Sequence, residues 1–143
     1  MGRMIKPNEL FEKYIGDQIG TGIYRKVYEC KPGKKYVIKV ARDIDGVFEN
    51  MLAVRLWHWV PPELKKWFVP IHSYSEDGKY IMQDRADLSR KEEYPAKIPA
   101  FFCDLKYSNF GWIGDQFVCI DYGCVNIVYN MSTEMQTLVW KDG

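Results

Sequence analysis

No C-x-x-C pair occurs among the four cysteines (Cys30, Cys103, Cys119, Cys124), and neither His58 nor His72 stands at metal-ligand spacing. That excludes a zinc signature, and four cysteines in 143 residues are too sparse for the disulfide framework of a small secreted domain. The thiols are therefore expected to be reduced and the chain cytoplasmic. No stretch approaches the ~20 apolar residues of a membrane span. The opening MGRMIKPNELFEKY carries charges but lacks the apolar h-region of a signal peptide. Charge of one sign is missing too. Lys and Arg number 20 against 19 Asp and Glu, and a net charge of +1 supplies no sequence-wide field to attract nucleic acid or an anionic membrane. Any bound anion must be held locally. No repeat, low-complexity tract or Ser/Gly linker divides the chain.

What is present is apolar and aromatic: 47% hydrophobic residues, with seven Phe, ten Tyr and five Trp, which excludes intrinsic disorder. A chain of this length buries roughly two thirds of its unfolded surface, so a single domain is expected. From Tyr14 to Val40, β-branched and aromatic residues predict three strands, with a Lys31-Pro32-Gly33-Lys34 turn between the second and third. The spacing of Val47, Met51, Val54 (or Leu52, Leu56) and Trp57 predicts a helix over 44–59, stopped by Pro61-Pro62. A short helix over 62–67 and a hairpin from Val69–Tyr74 and Lys79–Gln83 follow. Residues 84–100 read as a charged connector with at most one short helix. Two apolar segments, Ala100–Phe102 and Phe117–Ile120, flank a polar knot.

The chemistry-bearing motifs lie along this order. Ile19-Gly20-Thr21-Gly22-Ile23-Tyr24-Arg25-Lys26-Val27-Tyr28 puts two glycines in a hairpin, where the backbone can approach phosphate oxygens; alone, such a turn is an ordinary hairpin. Lys39 stands in the apolar strand Tyr36-Val37-Ile38-Lys39-Val40, where a lysine is commonly an edge or snorkelling residue unless a carboxylate partners it. Glu49 in the following helix is the candidate partner. The strongest signal is Asp104-Leu105-Lys106-Tyr107-Ser108-Asn109 followed by Asp121-Tyr122-Gly123. Phosphoryl transfer needs positioned cations, a group to orient the acceptor hydroxyl, and hard oxygens for magnesium. These residue types supply each.

Taken in order, these motifs resemble those of the protein-kinase-like superfamily over about residues 14–123. IGTGIYRKVY is similar to the glycine loop, YVIK to the V-A-I-K strand, DLKYSN to D-L-K-x-x-N and DYG to D-F-G. The resemblance implies an α+β, two-lobe fold. A five-stranded antiparallel sheet with one αC-type helix would span about 12–83, and a hinge and much reduced second lobe 84–143. It also implies ATP and Mg2+ as ligands. Lys39 would contact phosphates and pair with Glu49, Asp104 would be the catalytic aspartate with Lys106 beside it, and Asn109 and Asp121 would hold the metal. Gly20 and Gly22 would cradle phosphate, and Ile19, Val27 and Val37 would form an apolar ceiling. Met82 would be the gatekeeper, Gln83 to Arg85 the hinge to adenine, and Asp87 would reach the ribose.

The chain departs from the family in telling places. Arg25 replaces the third loop glycine, Phe102-Cys103 replaces the usual His-Arg, Val37 the usual alanine, and Gly111 the large apolar floor of the adenine slot. There is no A-P-E sequence, and in this brevity the chain resembles the RIO and lipopolysaccharide-core kinases, although Lys106 is the protein-kinase choice. Two expectations follow: a serine/threonine-kinase-like phosphotransferase acting on a protein substrate, or a pseudokinase module that binds nucleotide or only a protein partner. A small-molecule kinase is a further possibility within the active branch. Trp57, Trp59, Trp67 and Phe68 read as core packing; any exposed part would suit docking or a homodimer. Ser108, Ser132 and Thr133 are candidate autophosphorylation sites.

Overall fold

β-branched and aromatic residues along 15–41 form the three strands that their pattern predicts, and the elements around them complete a larger sheet. The computed structural model describes residues 3–5, 8–125 and 131–142. It has two compact units: Met1–Trp59 with Pro70–Arg85, and Val60–Val69 with Ala86–Gly143. The first contains β1 (Arg3–Ile5), α1 (Glu9–Tyr14), β2 (Ile15–Thr21), β3 (Arg25–Cys30), β4 (Tyr36–Ala41), α2 (Ile44–Trp59), β5 (Ile71–Ser75) and β6 (Tyr80–Asp84). Its strands run in the order β1-β5-β6-β4-β3-β2. β1 pairs parallel to β5 and every other pair is antiparallel. The expected five-stranded antiparallel sheet is thus a six-stranded mixed sheet. The added strand has three residues, too few for any periodicity to register.

Register on β4 sorts the side chains between two faces, because directly opposed residues of antiparallel strands point the same way. Lys39 lies opposite Val27 and Ile81, and Val37 opposite Glu29 and Gln83. Ile38 lies opposite Tyr28 and Met82, on the other face. That second face carries a buried cluster of Phe11, Cys30, Ile38, Tyr80 and Met82. Phe11 comes from α1, and its ring stacks on Tyr80 with centroids 5.4 Å apart.

Helix α2 occupies the range its spacing predicts, but its buried stripe is rotated. Gly46, Asn50, Ala53 and Trp57 are buried, with Val54 and Leu56, rather than a stripe through Val47 and Met51. Two contacts select this face. A Cβ on Gly46 would lie 3.0 Å from the Ala41 backbone, so only glycine lets the first turn approach β4 this closely. Asn50, fully buried, donates from Nδ2 to the carbonyls of Gly78 (2.9 Å) and Lys79 (3.2 Å). The helix is capped by Asp43, whose Oδ1 accepts from Gly46 N–H at 3.1 Å.

The second unit contains β7 (Lys97–Pro99), β8 (Phe110–Ile113), β9 (Gln116–Cys119) and β10 (Met135–Thr137). β8 and β9 form a hairpin, and β10 pairs antiparallel with β7. Short 3-10 turns at Pro62–Trp67, Lys91–Glu93, Tyr107–Asn109 and Tyr122–Cys124 complete it, with no α-helix among its described residues. Ala100 and Phe101 form a turn, and Phe102 makes an isolated antiparallel bridge to Val125. The unit is held by rings: Phe68 packs on Phe101, Phe102 and Tyr122, and Phe110 stacks on Phe117. Of the tryptophans expected in the core, Trp57 is buried and Trp59 is exposed. Residues 126–130 of the segment after Gly123 lie outside the described residues.

Phe11→Ala would open a cavity under the first sheet, and a loss of about 3–5 kcal/mol in unfolding free energy is expected from urea denaturation.

Candidate functional site

The β2–β3 hairpin holds the two glycines with no steric need for them inside the chain. A Cβ on Gly20 would meet only the Val27 side chain at 3.7 Å, and one on Gly22 only the Arg25 carbonyl at 3.8 Å, both ordinary contacts. Neither has a positive φ. Both positions would accommodate a side chain, and glycine leaves the backbone of the hairpin bare there. The tip itself is fastened. Gly22 N–H donates to Arg25 O at 2.8 Å, and Arg42 Nη1 donates to Gly22 O at 2.7 Å, a tie that no loop motif signals in the sequence. Ile19 sits in the bulge between Gln18 and Gly20 and is 43% exposed.

Lys39 is 8% exposed, on the face it shares with Val27, Val37, Ile81 and Gln83. Val27 and Val37 thus do lie beside it. Met82, expected as the gatekeeper, does not: it belongs to the Phe11 cluster on the opposite face, because a one-residue offset along a strand reverses the side chain. Ile81 and Gln83 are the β6 residues on the Lys39 face. The Lys39–Glu49 pair is not formed either. Glu49 is half-buried and makes no hydrogen bond or ion pair among the described residues, because the inward position on α2 belongs to Asn50. Asn50 Oδ1 instead accepts from Arg25 Nη1 at 3.1 Å. Arg25, at the third glycine position, is 9% exposed and lies on the face of Val27 and Lys39.

The hinge expectation also meets prior commitments. Asp84 N–H donates to Pro70 O at 3.1 Å, and Arg85 N–H donates to Lys35 O at 2.9 Å. The Arg85 guanidinium pairs with Glu29 at 3.3 Å. These two N–H groups are not open to adenine. Asp87 closes a local turn, its Oδ1 accepting from Ser89 N–H (2.8 Å) and Ser89 Oγ (2.6 Å). Gly111 is glycine for packing: a Cβ there would lie 2.9 Å from both Ala86 Cβ and Leu88 Cδ2.

In the second unit the polar knot is closed by local hydrogen bonds. Asp104 has φ +49°, the one non-glycine positive φ among the described residues. Such a backbone costs about 1 kcal/mol and marks a position that its surroundings impose. The imposing group is Asn109, 9% exposed, whose Nδ2 donates to Asp104 O at 2.7 Å and more loosely to Oδ2 at 3.3 Å. Lys106 N–H donates to the same carbonyl at 2.8 Å, while the Lys106 side chain is exposed. Ile120 N–H donates to Asn109 O at 2.9 Å, which brings the strand end carrying Asp121 to the loop. Asp121 Oδ1 accepts from Gly123 N–H at 3.0 Å. Tyr122 is buried, donating to Val69 O at 2.6 Å. Asp104, Asn109 and Asp121 are thus brought together within one unit.

Magnesium normally takes one or two protein oxygens together with substrate phosphates and water. With Nδ2 committed to Asp104, Asn109 presents Oδ1, which accepts no hydrogen bond among the described residues, and Asp121 supplies a carboxylate: a hard-oxygen pair of the right chemistry. Among the described residues no group of three or more His, Cys, Asp or Glu side chains gathers as a metal site.

One participant escaped the sequence reading. Lys141 Nζ lies 2.9 Å from Asp104 Oδ1, and its N–H donates to Leu105 O at 2.7 Å. The Lys141 hydrogen bond holds the Asp104 carboxyl below its usual value, opposed by partial desolvation, and Lys141 is raised in turn. Charge is the only signal a lone lysine offers, and many lysines carry it. Cysteines frame both motifs. Cys103 N–H donates to Cys124 O at 2.6 Å, and Cys119 and Cys124 are buried with sulfurs 2.7 Å apart.

Cys103 alone among the four is exposed, and desolvation, then the Asp104 charge, raises its thiol pKa. Iodoacetamide is expected to label one cysteine in the native protein and all four after denaturation. A raised pKa delays thiolate formation, so the native rate should still be climbing above about pH 8.5, where an unperturbed thiol begins to level off. Mass spectrometry of alkylated peptides across pH reads both.

No family model matches the chain, and no curated protein matches its sequence.

Proposed function

We propose that the chain is an ATP- and magnesium-dependent phosphotransferase of the protein-kinase-like type, acting on a serine or threonine hydroxyl. The observation that carries the reading is the Asn109 clamp. One amide holds Asp104 in a left-handed backbone through its Nδ2, leaving its own Oδ1 without a hydrogen bond among the described residues. Asp104 would orient the acceptor hydroxyl and take its proton as the oxygen bonds to the γ-phosphorus and the bond from that phosphorus to the β,γ-bridging oxygen breaks, releasing ADP. Asn109 and Asp121 would hold the metal, and Lys106 would supply positive charge to the transferring group. Bound magnesium would neutralise the β- and γ-oxygens. In the first unit, the buried Lys39 and the open backbone at Gly20 and Gly22 suit a triphosphate.

A second reading, a nucleotide-binding or purely protein-binding pseudokinase, is favoured by the committed N–H groups of Asp84 and Arg85 and by the absence of a Lys39–Glu49 pair. Calorimetry with ATP, with and without Mg2+, and transfer of labelled phosphate to a lysate separate the two. Asp104→Asn, which tolerates the left-handed backbone, should bind ATP normally and transfer about 10²–10⁴-fold more slowly. Asp121→Ala should lose the magnesium-dependent part of binding. Gly20→Ala should change unfolding free energy by under about 1 kcal/mol while weakening ATP binding. Binding without transfer by the unaltered protein selects the second reading, and a chain that binds no ATP leaves only its protein-binding form.

A further inference from the structure

Lys141 is carried on a strap that is fastened to the second unit at several points. β10 pairs with β7, Leu138 N–H donates to Ala96 O at 2.8 Å, and Asp142 Oδ1 accepts from Tyr107 N–H at 3.1 Å. Trp140 anchors it most firmly, stacked on Tyr107 with ring centroids 4.6 Å apart and packed against Tyr94 and Phe110. Between this strap and the turn before Asp104 lies a cleft of about 390 Å³, with Phe102, Leu105 and Val139 as apolar walls and Cys103, Asp104 and Lys141 beside them.

Asp104 is engaged on both oxygens, Oδ1 by Lys141 at 2.9 Å and Oδ2 by Asn109 at 3.3 Å. An acceptor hydroxyl must come within about 2.6–3.2 Å of a carboxylate oxygen to be oriented by it. The Asn109 contact belongs to the clamp that shapes the loop. The Lys141 contact does not: its side chain is 62% exposed and the strap is held independently by Trp140. We propose that Lys141 is an internal competitor for the acceptor hydroxyl, occupying the Asp104 oxygen that an incoming serine or threonine must take, with the neighbouring cleft receiving the apolar flank of that acceptor. This rests on the phosphotransfer reading above. An exposed ion pair is a weak latch, which an acceptor filling the cleft can displace. The cation also lowers the basicity of Asp104 while it is docked.

The test measures phosphate transfer from labelled ATP to degenerate nonapeptides with a central Ser or Thr, flanked either by Leu or by Asp. Lys141→Met should raise kcat/KM for the Leu-flanked peptide several-fold with KM for ATP unchanged, and Lys141→Arg should behave as the unaltered protein. Trp140→Ala, which removes one of the fastenings and loosens the strap, should raise transfer likewise and speed iodoacetamide labelling of Cys103. Equal or slower transfer by Lys141→Met, with the unaltered protein active, overturns the competitor proposal and leaves the phosphotransfer reading standing. No transfer above the Asp104→Asn background in any variant, even with Cys103 labelling accelerated in Trp140→Ala, overturns the phosphotransfer reading and this proposal with it.

Discussion

The register of β4 between β3 and β6 is the constraint on which the first unit depends. Hydrogen-bonded on both edges, β4 has no edge freedom, and its pleat sends Ile38 into the Phe11–Tyr80 cluster and Lys39 to the other face. A slip of one residue would drive the Lys39 ammonium into that cluster, which contains no carboxylate to offset the desolvation cost. Everything else on the Lys39 face follows from this parity. Ile81 and Gln83 are there because they are odd-numbered partners in the same ladder, and Met82 is excluded for the same reason.

The second unit is organised by different physics. With few regular elements, it relies on aromatic packing: Phe68, Phe101, Phe102, Phe110, Phe117 and Tyr122 supply large apolar area in a short length of chain. Loops laid over such a core need side chains to satisfy their backbone groups. Asn109 does this for Asp104, Tyr94 donates to Phe110 O at 2.8 Å with its phenol pushed up to about 12 by burial, and Gln136 bonds the carbonyls of Pro99 and Phe102. The site loops are therefore held by single side chains rather than by helices.

How much was legible depended on the range of the determining interaction. β3, β4, α2, the hairpin of β5 and β6, and the 3-10 turn at 62–67 declared themselves through local pattern and proline position. β1, α1, β7 and β10 did not, because three to six residues cannot establish a period and their stability comes from partners far along the chain. The candidate site divided the same way. The DLKYSN and DYG residues converge, while the Lys39–Glu49 pair fails because helix α2 is turned by the close approach at Gly46 and by the hydrogen bonds of Asn50.

The amino-acid order by itself determined which groups were on hand: an apolar strand bearing one lysine, two glycines in a hairpin, and an Asp–Asn–Asp set in two short motifs. Those are properties of neighbours, and neighbours are what a sequence displays. Tertiary structure alone decided which face each group occupies, which backbone donors are already committed, and that Lys141 would meet Asp104, 37 positions away. Pleat parity, helix rotation and long-range ion pairs depend on how distant surfaces fit, and no local pattern of residues encodes that fit.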